Sequence, residues 1–271
     1  MNEVVQYAVD QGVATITLNR PEHLNTMSGP LLEQATAALE RATDDGSVRA
    51  VILTGAGRAF CAGGDLQGMA GDRPAGLDRV SAGDGTVQAD VARLRRAMRT
   101  SQLLRDMPKV TFAAINGACA GAGLAWACAA DIRYCAASAV FNTAFMTAGL
   151  SGDFGGTWTL PRIVGPARAR ELYLLAEKFR AEDAVRIGLV SAIIPDDELM
   201  PFVRAKAERV AGFAPLTMRA IKANLNDALD LGFAAMLDRE AERHIACSRT
   251  EDAREAARAF LEKRPPVFRG S

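Results

Sequence analysis

The stretch from Lys109 to Gly165 constrains this chain most. It begins KVTFAAINGACAGAGLAWACAADIRYCA and ends FNTAFMTAGLSGDFGGTWTLPRIVG. The apolar run Val110 to Ile115 is followed by Asn116-Gly117, then by Gly121-Ala122-Gly123 opening onto Leu124 to Ala129. That order predicts a buried strand, a glycine turn and a helix start. A helix start presents unpaired main-chain N–H groups and the positive end of the helix dipole. Small residues there let a ligand oxygen approach the main chain. In the second half one carboxylate, Asp153, stands among Gly152, Phe154, Gly155 and Gly156. N–H donors and a single carboxylate in apolar surroundings suit enolate chemistry beside a carbonyl.

Composition narrows the field. With 271 residues, about half of them hydrophobic, the chain is one large domain or a domain with an appendage. The net charge is zero, which argues against a nucleic-acid partner. Cys61, Cys119, Cys128, Cys135 and Cys247 form no CxxC pair and read as reduced thiols of a cytoplasmic protein. No His/Cys/Asp cluster has metal-ligand spacing, so no metal is expected. The opening MNEVVQYAVDQ lacks the pattern of a signal peptide. The apolar run near Ala113 to Ala130 is broken by Asn116 and three glycines and is too mixed to span a membrane.

In order, Val4 to Val9 and Val13 to Leu18 predict a hairpin across Gln11-Gly12. Ser28 predicts the cap of a helix to about Thr43, with Leu31, Leu32, Ala35, Ala38 and Leu39 on one face. Ala50 to Thr54 is short and strongly apolar, hence a buried strand, and Phe60 to Leu66 with its double glycine follows. Met69 to Gly85 reads as a loop and Thr86 to Arg105 as one helix. Beyond Pro166 helical patterns cover 167–176, 181–187, 197–211, 216–230, 233–248 and 251–262. The expected organisation is a core over 1–195 and a helical region over 196–271. Repeated βαβ-like units in the core suggest stacked turns of a spiral.

Five ordered segments carry a resemblance to a known family: LNRPEHLNTMS, VILTGAGRAFCAGGDL, KVTFAAINGACAGAGLAWACAADI, AFMTAGLSGDFGGTWTLPRIVG and FLEKRPPVF. They resemble the crotonase superfamily, the enoyl-CoA hydratases and isomerases, over nearly the whole chain. The resemblance implies an α/β fold, a spiral of ββα turns with a C-terminal helical trimerisation region. It implies homotrimers or dimers of trimers, and an acyl-CoA thioester substrate of fatty acid metabolism, with coenzyme A as part of the substrate and no cofactor. The thioester oxygen would sit between the N–H groups of Gly64 and Ala122. Coenzyme A would contact Leu24, Ala62, Asp65 and Leu66, with Lys263 as a further candidate through a neighbouring subunit.

This sequence also departs from the family. Hydratases of this kind carry two glutamates, and here those positions are Ala125 and Phe145, neither of which moves a proton. Asp153 occupies a third position, used by dienoyl-CoA isomerases and by phenylacetate-pathway isomerases, whose sequence around it is similar. The resemblance therefore implies an isomerase with Asp153 as acid–base group. A hydratase using Asp153, or Asp153 with Asp72 or Asp78, is the alternative, and a non-catalytic acyl-CoA-binding protein is a third reading. A dehalogenase reading is weaker, because no histidine lies between His23 and His244. Taken alone, Asp153 reads first as the cap of a helix over Phe154 to Leu160, and only the family position moves the reading to catalysis.

Overall fold

The computed structural model describes residues 3–65 and 86–271. Leu66, Asp72, Asp78 and the rest of the loop Met69 to Gly85 lie outside the described residues. Strands β1 (Val5–Asp10) and β2 (Val13–Leu18) pair antiparallel through Gln11 and Gly12, both at positive φ, as a tight hairpin requires. A 3₁₀ turn, Pro21–His23, leads into α1 (Gly29–Asp44). Ser28 caps α1 by accepting from the Leu31 N–H at 3.4 Å, and the predicted face is buried.

After β3 (Ala50–Gly55) and β4 (Ala59–Cys61), the helix expected from Thr86 to Arg105 proves to be two. These are α2 (Val87–Ala97) and α3 (Arg99–Asp106), parted at Met98. Thr100 Oγ1 bonds back to the Ala97 carbonyl at 3.0 Å, a local bond that competes with the helical ladder. The two halves also have different partners. α3 buries Thr100, Leu103 and Leu104, whereas α2 buries no residue.

The chain continues through β5 (Val110–Ile115), β6 (Ala118–Ala120), α4 (Ala122–Ala129), β7 (Ile132–Ala136) and β8 (Val140–Asn142). Then come α5 (Phe145–Ala148), α6 (Gly156–Val164), α7 (Pro166–Leu175), β9 (Phe179–Arg180), α8 (Ala181–Arg186) and β10 (Ile193–Ile194). Helices α9 (Leu199–Ala211), α10 (Pro215–Asp227), α11 (Phe233–Ser248) and α12 (Glu251–Glu262) close it.

The strands form a six-stranded sheet, β1-β2-β3-β5-β7-β10, and a four-stranded sheet, β4-β6-β8-β9. Each pair β3/β4, β5/β6 and β7/β8 sends its first strand to the large sheet and its second to the small one. Within each sheet these strands run parallel. This is the spiral of ββα turns that the resemblance implied.

Short apolar runs suit such a coil because both faces of its large sheet are covered. Val51 and Leu53 of β3 face the interior with Leu31, Phe60 and Trp126. Ala50 and Ile52 face the other way, onto Phe112 and onto Leu199 and Val203 of α9. The candidate site lies where the small-sheet strands β4 and β6 end, at Gly64 and at the start of α4.

Candidate active site

Strands β4 and β6 run side by side with Cys61 opposite Cys119. Three residues further along each chain lie Gly64 and Ala122. Their turns nearly touch: a Cβ on Gly63, which has a φ of +94°, would stand 2.9 Å from the Ala120 carbonyl oxygen and 3.6 Å from the Ala122 nitrogen. Only glycine fits that approach and that conformation. Ala122 begins α4, so its N–H has no intrahelical acceptor. Among the described residues neither it nor the Gly64 N–H donates to a main-chain oxygen. On the far side the strand end is pinned, because the Met27 N–H donates to Gly63 O at 2.8 Å. Two free N–H groups on neighbouring turns, one at a helix N-terminus, are equipped to hold an oxygen on which negative charge develops.

Of the residues expected to touch coenzyme A, Leu24, Ala62 and Asp65 form an edge beside this pair. The Ala62 N–H donates to Leu24 O at 3.1 Å. Leu24 ends the 3₁₀ turn in the left-handed conformation, and Asp65 is half-buried one residue beyond Gly64. The buried Asn25 holds this edge. Its Nδ2 donates to Ala56 O at 2.9 Å and to Ala59 O at 2.7 Å, and its Oδ1 accepts from the Arg20 N–H at 2.8 Å. Sequence reasoning quoted Asn25 within a motif but gave it no role. Lys263 stands exposed at the end of α12. Among the described residues no hydrogen bond or ion pair joins it to this edge.

Asp153 sits in a turn whose neighbours Gly152, Phe154 and Gly155 all have positive φ. For a phenylalanine that conformation costs on the order of 1 kcal/mol, so the packing around it must hold the turn in place. The side chain does not cap the helix. α6 starts at Gly156 behind Gly155, and no side chain caps it. The Asp153 carbonyl accepts from the Gly156 N–H at 3.1 Å, while Oδ1 is shut from solvent with no partner among the described residues. Burial pushes the carboxyl up to about 6, because its charged form is poorly solvated there.

Aromatic rings supply that environment. Phe154 meets Trp126 edge to face with centroids 5.9 Å apart. Phe145 stacks on Tyr173, centroids 6.2 Å apart. A Cβ on Gly156 would stand 2.5 Å from Tyr173 Oη and 3.1 Å from Ala125 Cβ. Both positions at which the resemblance places a glutamate, Ala125 and Phe145, are therefore neighbours of one phenol. Sequence reasoning passed over Tyr173. Its only signal was a polar-tipped aromatic in a helix built mostly of Ala, Arg and Leu.

The other candidates take structural roles. Burial pushes the Cys61 and Cys135 thiols up to about 12 and Cys128 to about 11, which leaves them un-ionised and unreactive. Asp131 Oδ2 accepts from the Thr111 N–H at 2.7 Å and holds a turn, as expected. His23 and His244 are exposed. Among the described residues no three His, Cys, Asp or Glu side chains could hold a metal. Trp158 lies between the guanidinium groups of Arg105 and Arg162, 4.5 and 3.8 Å from its ring centre. It lines a depression of about 500 Å³ with Arg95, Arg99, Phe154 and Gly155, on which neither Asp153 nor Ala122 opens.

Comparison with known proteins places these features in context. The family model described as enoyl-CoA hydratase/isomerase matches residues 8–271. A probable enoyl-CoA hydratase of Rhodobacter capsulatus is 40% identical over 98% of each chain. The 1,2-epoxyphenylacetyl-CoA isomerase of Escherichia coli is 37% identical over 100% of each. Among solved structures, an enoyl-CoA hydratase from Bacillus anthracis superposes with a TM-score of 0.89 at 30% identity, covering 99% of this chain and 100% of that one. A putative enoyl-CoA hydratase from Streptomyces coelicolor gives 0.90 at 33%, covering 99% and 94%.

Proposed function

The chain belongs to the enoyl-CoA hydratase/isomerase family, and on that premise we propose that it shifts a double bond in an unsaturated acyl-CoA, with Asp153 as acid–base group. It is an enzyme acting on acyl-CoA thioesters. The observation that carries the isomerase reading is the state of Asp153. It is the carboxylate of the turn before α6, its Oδ1 is buried with no partner among the described residues, and burial raises it to about 6. A group so poised takes a proton near neutral pH and can give it back.

In this reading the thioester oxygen accepts hydrogen bonds from Gly64 and Ala122. Asp153 removes a proton from the α-carbon, and the electron pair spreads into a dienolate whose charge falls on that oxygen. The acid then returns the proton two carbons along, so the carboxylate is regenerated. Each N–H donor contributes on the order of 3 kcal/mol to such a step. Leu24, Ala62, Asp65 and Leu66 are the proposed coenzyme A contacts, with Lys263 reaching in from a neighbouring subunit. No cofactor beyond the substrate's own coenzyme A is proposed. Assembly as a trimer or dimer of trimers and a reduced, cytoplasmic setting belong to the same reading. The latter is supported by five unpaired cysteines.

Replacing Asp153 by Asn tests the reading. Double-bond migration should vanish while acyl-CoA binding persists, and full activity in that variant refutes the assignment. A second reading, hydration, is favoured by the name of the 40% identical relative. Incubation with crotonyl-CoA in heavy-oxygen water separates the two, since only hydration leaves label in the product.

A further inference from the structure

The stack of Tyr173 on Phe145, with planes 15° apart, plays no part in the acid–base steps themselves. A Cβ on Gly152, the residue before Asp153, would stand 3.9 Å from Tyr173 Cε1 and 4.0 Å from Phe145 Cδ2. At the other end of the same turn, a Cβ on Gly156 would meet Tyr173 Oη at 2.5 Å. Thr157 Cγ2 would stand closer still to the Cβ on Gly152, at 3.2 Å, and the phenol flanks both ends of the turn that carries the carboxylate. Inside that turn Asp153 Oδ1 is shut from solvent.

We propose that Tyr173, backed by Phe145, is the wall that keeps water off Asp153, so that the proton the carboxylate removes returns to the same substrate molecule. The inference rests on the isomerase reading. Tyr173 acts through Asp153 and is a positioning residue. In the first step the α C–H bond breaks, its proton bonds to the carboxylate, and its electron pair enters the dienolate. In the second the O–H bond breaks and a C–H bond forms at the γ-carbon. Hydrogen is conserved only if the carboxylic acid meets no water between the two steps.

The geometry suits a wall better than a relay. Tyr173 Oη gives no hydrogen bond to Asp153 Oδ1. Burial pushes the phenol well above its ordinary range, so it stays un-ionised. The thiol of Cys128 on α4, which also acts on Tyr173, is likewise un-ionised, and Arg105 on α3 and Arg162 on α6 stack on Trp158. Burial, not a neighbouring charge, raises the Asp153 carboxyl. Cutting the phenol back to a methyl group would open space beside it, and a water occupies about 30 Å³.

Two variants and two readouts test this. Tyr173→Ala opens the wall and Tyr173→Phe keeps it, with Tyr173→Leu in place of alanine should that variant not fold. The first readout is a β,γ-enoyl-CoA deuterated at the α-carbon and turned over in ordinary water. Wild type and Tyr173→Phe should carry most of the label to the γ-carbon, and Tyr173→Ala at least about fivefold less. The second is carbon NMR titration of the Asp153 carboxyl in the free enzyme, assigned with Asp153→Asn. Its midpoint should lie near 6 in wild type and Tyr173→Phe and about one pH unit lower in Tyr173→Ala. An unchanged midpoint or undiminished label transfer in the alanine variant overturns the proposal. So does label loss in Tyr173→Phe as complete as in Tyr173→Ala. If wild type moves no double bond, the isomerase reading fails, and the titration still decides whether the wall exists.

Discussion

Lys222 on α10 reaches Asp131, which precedes β7, with Nζ 2.7 Å from Oδ2, and both ends of the contact are held by further hydrogen bonds. The ammonium also donates to Lys109 O at 2.9 Å, and the carboxylate accepts from the Thr111 N–H. A helix beyond the coil is thereby fastened to the turn that enters β5. Lys222 is buried, so losing it strands a carboxylate built to receive it. Lys222→Met should cost about 3 kcal/mol, at the low end for breaking a buried pair because Asp131 is partly exposed. Urea unfolding measures this, and kcat/KM at 25 °C should stay within about twofold.

Ala122→Pro deletes one proposed oxyanion donor at a position where proline is otherwise tolerated, the first residue of a helix. The expected loss in kcat is about 10²- to 10³-fold, with the melting temperature nearly unchanged. A variant that folds and retains full kcat would remove Ala122 from the site.

The pH profile should carry the mark of Asp153. With its carboxyl raised to about 6, kcat/KM should climb through pH 6 and level off above it. No basic limb is expected from Cys61 or Tyr173, because burial holds both protonated through the physiological range. A steady-state series from pH 4.5 to about 9 in constant ionic strength tests the shape.

The same shift makes a stability prediction of definite sign. The folded carboxyl sits at about 6 against an ordinary 3.8, so the folded chain holds this proton more tightly than the unfolded one. The stability it contributes is complete below pH 4 and is lost as pH rises through 6. Asparagine carries no charge, so Asp153→Asn should be more stable than wild type at pH 8. The gain should be about 1–2 kcal/mol after discounting partial exposure, and it should close towards pH 4. Paired denaturation curves at the two pH values measure the difference.

The helical end of the chain presents large apolar side chains to solvent. Phe233 on α11 and Phe260 and Leu261 on α12 are each 80% exposed or more. Patches of this kind mark association surfaces. Analytical ultracentrifugation should give a particle of three or six chains. Phe260→Asp combined with Leu261→Asp should shift it to smaller species, and a monomeric wild type would refute the assembly.

Much of this was legible because local patterns carried it. The hairpin at Gln11-Gly12, the cap at Ser28 and the helices over 233–248 and 251–262 each depend on residues near in sequence. The glycine-rich helix start at Ala122 and the isolation of Asp153 were legible for the same reason. The two-residue strands β9 and β10 were not, since they exist only by pairing with β8 and β7. The break at Met98 escaped notice because it depends on what α3 packs against.

Sequence alone determined which groups this protein possesses: a carboxylate at position 153, small residues at 64 and 122, and no acid at 125 or 145. Those are covalent facts, and the family pattern around them is local. Tertiary structure decided how those groups behave. Asp153 is a partly buried acid rather than a helix cap because α6 starts three residues later and its Oδ1 meets no donor among the described residues. Tyr173, twenty residues downstream, reaches that turn only because α7 folds back beside α5 and α6. Desolvation depends on what surrounds a group in space, and spacing along the chain carries no record of that.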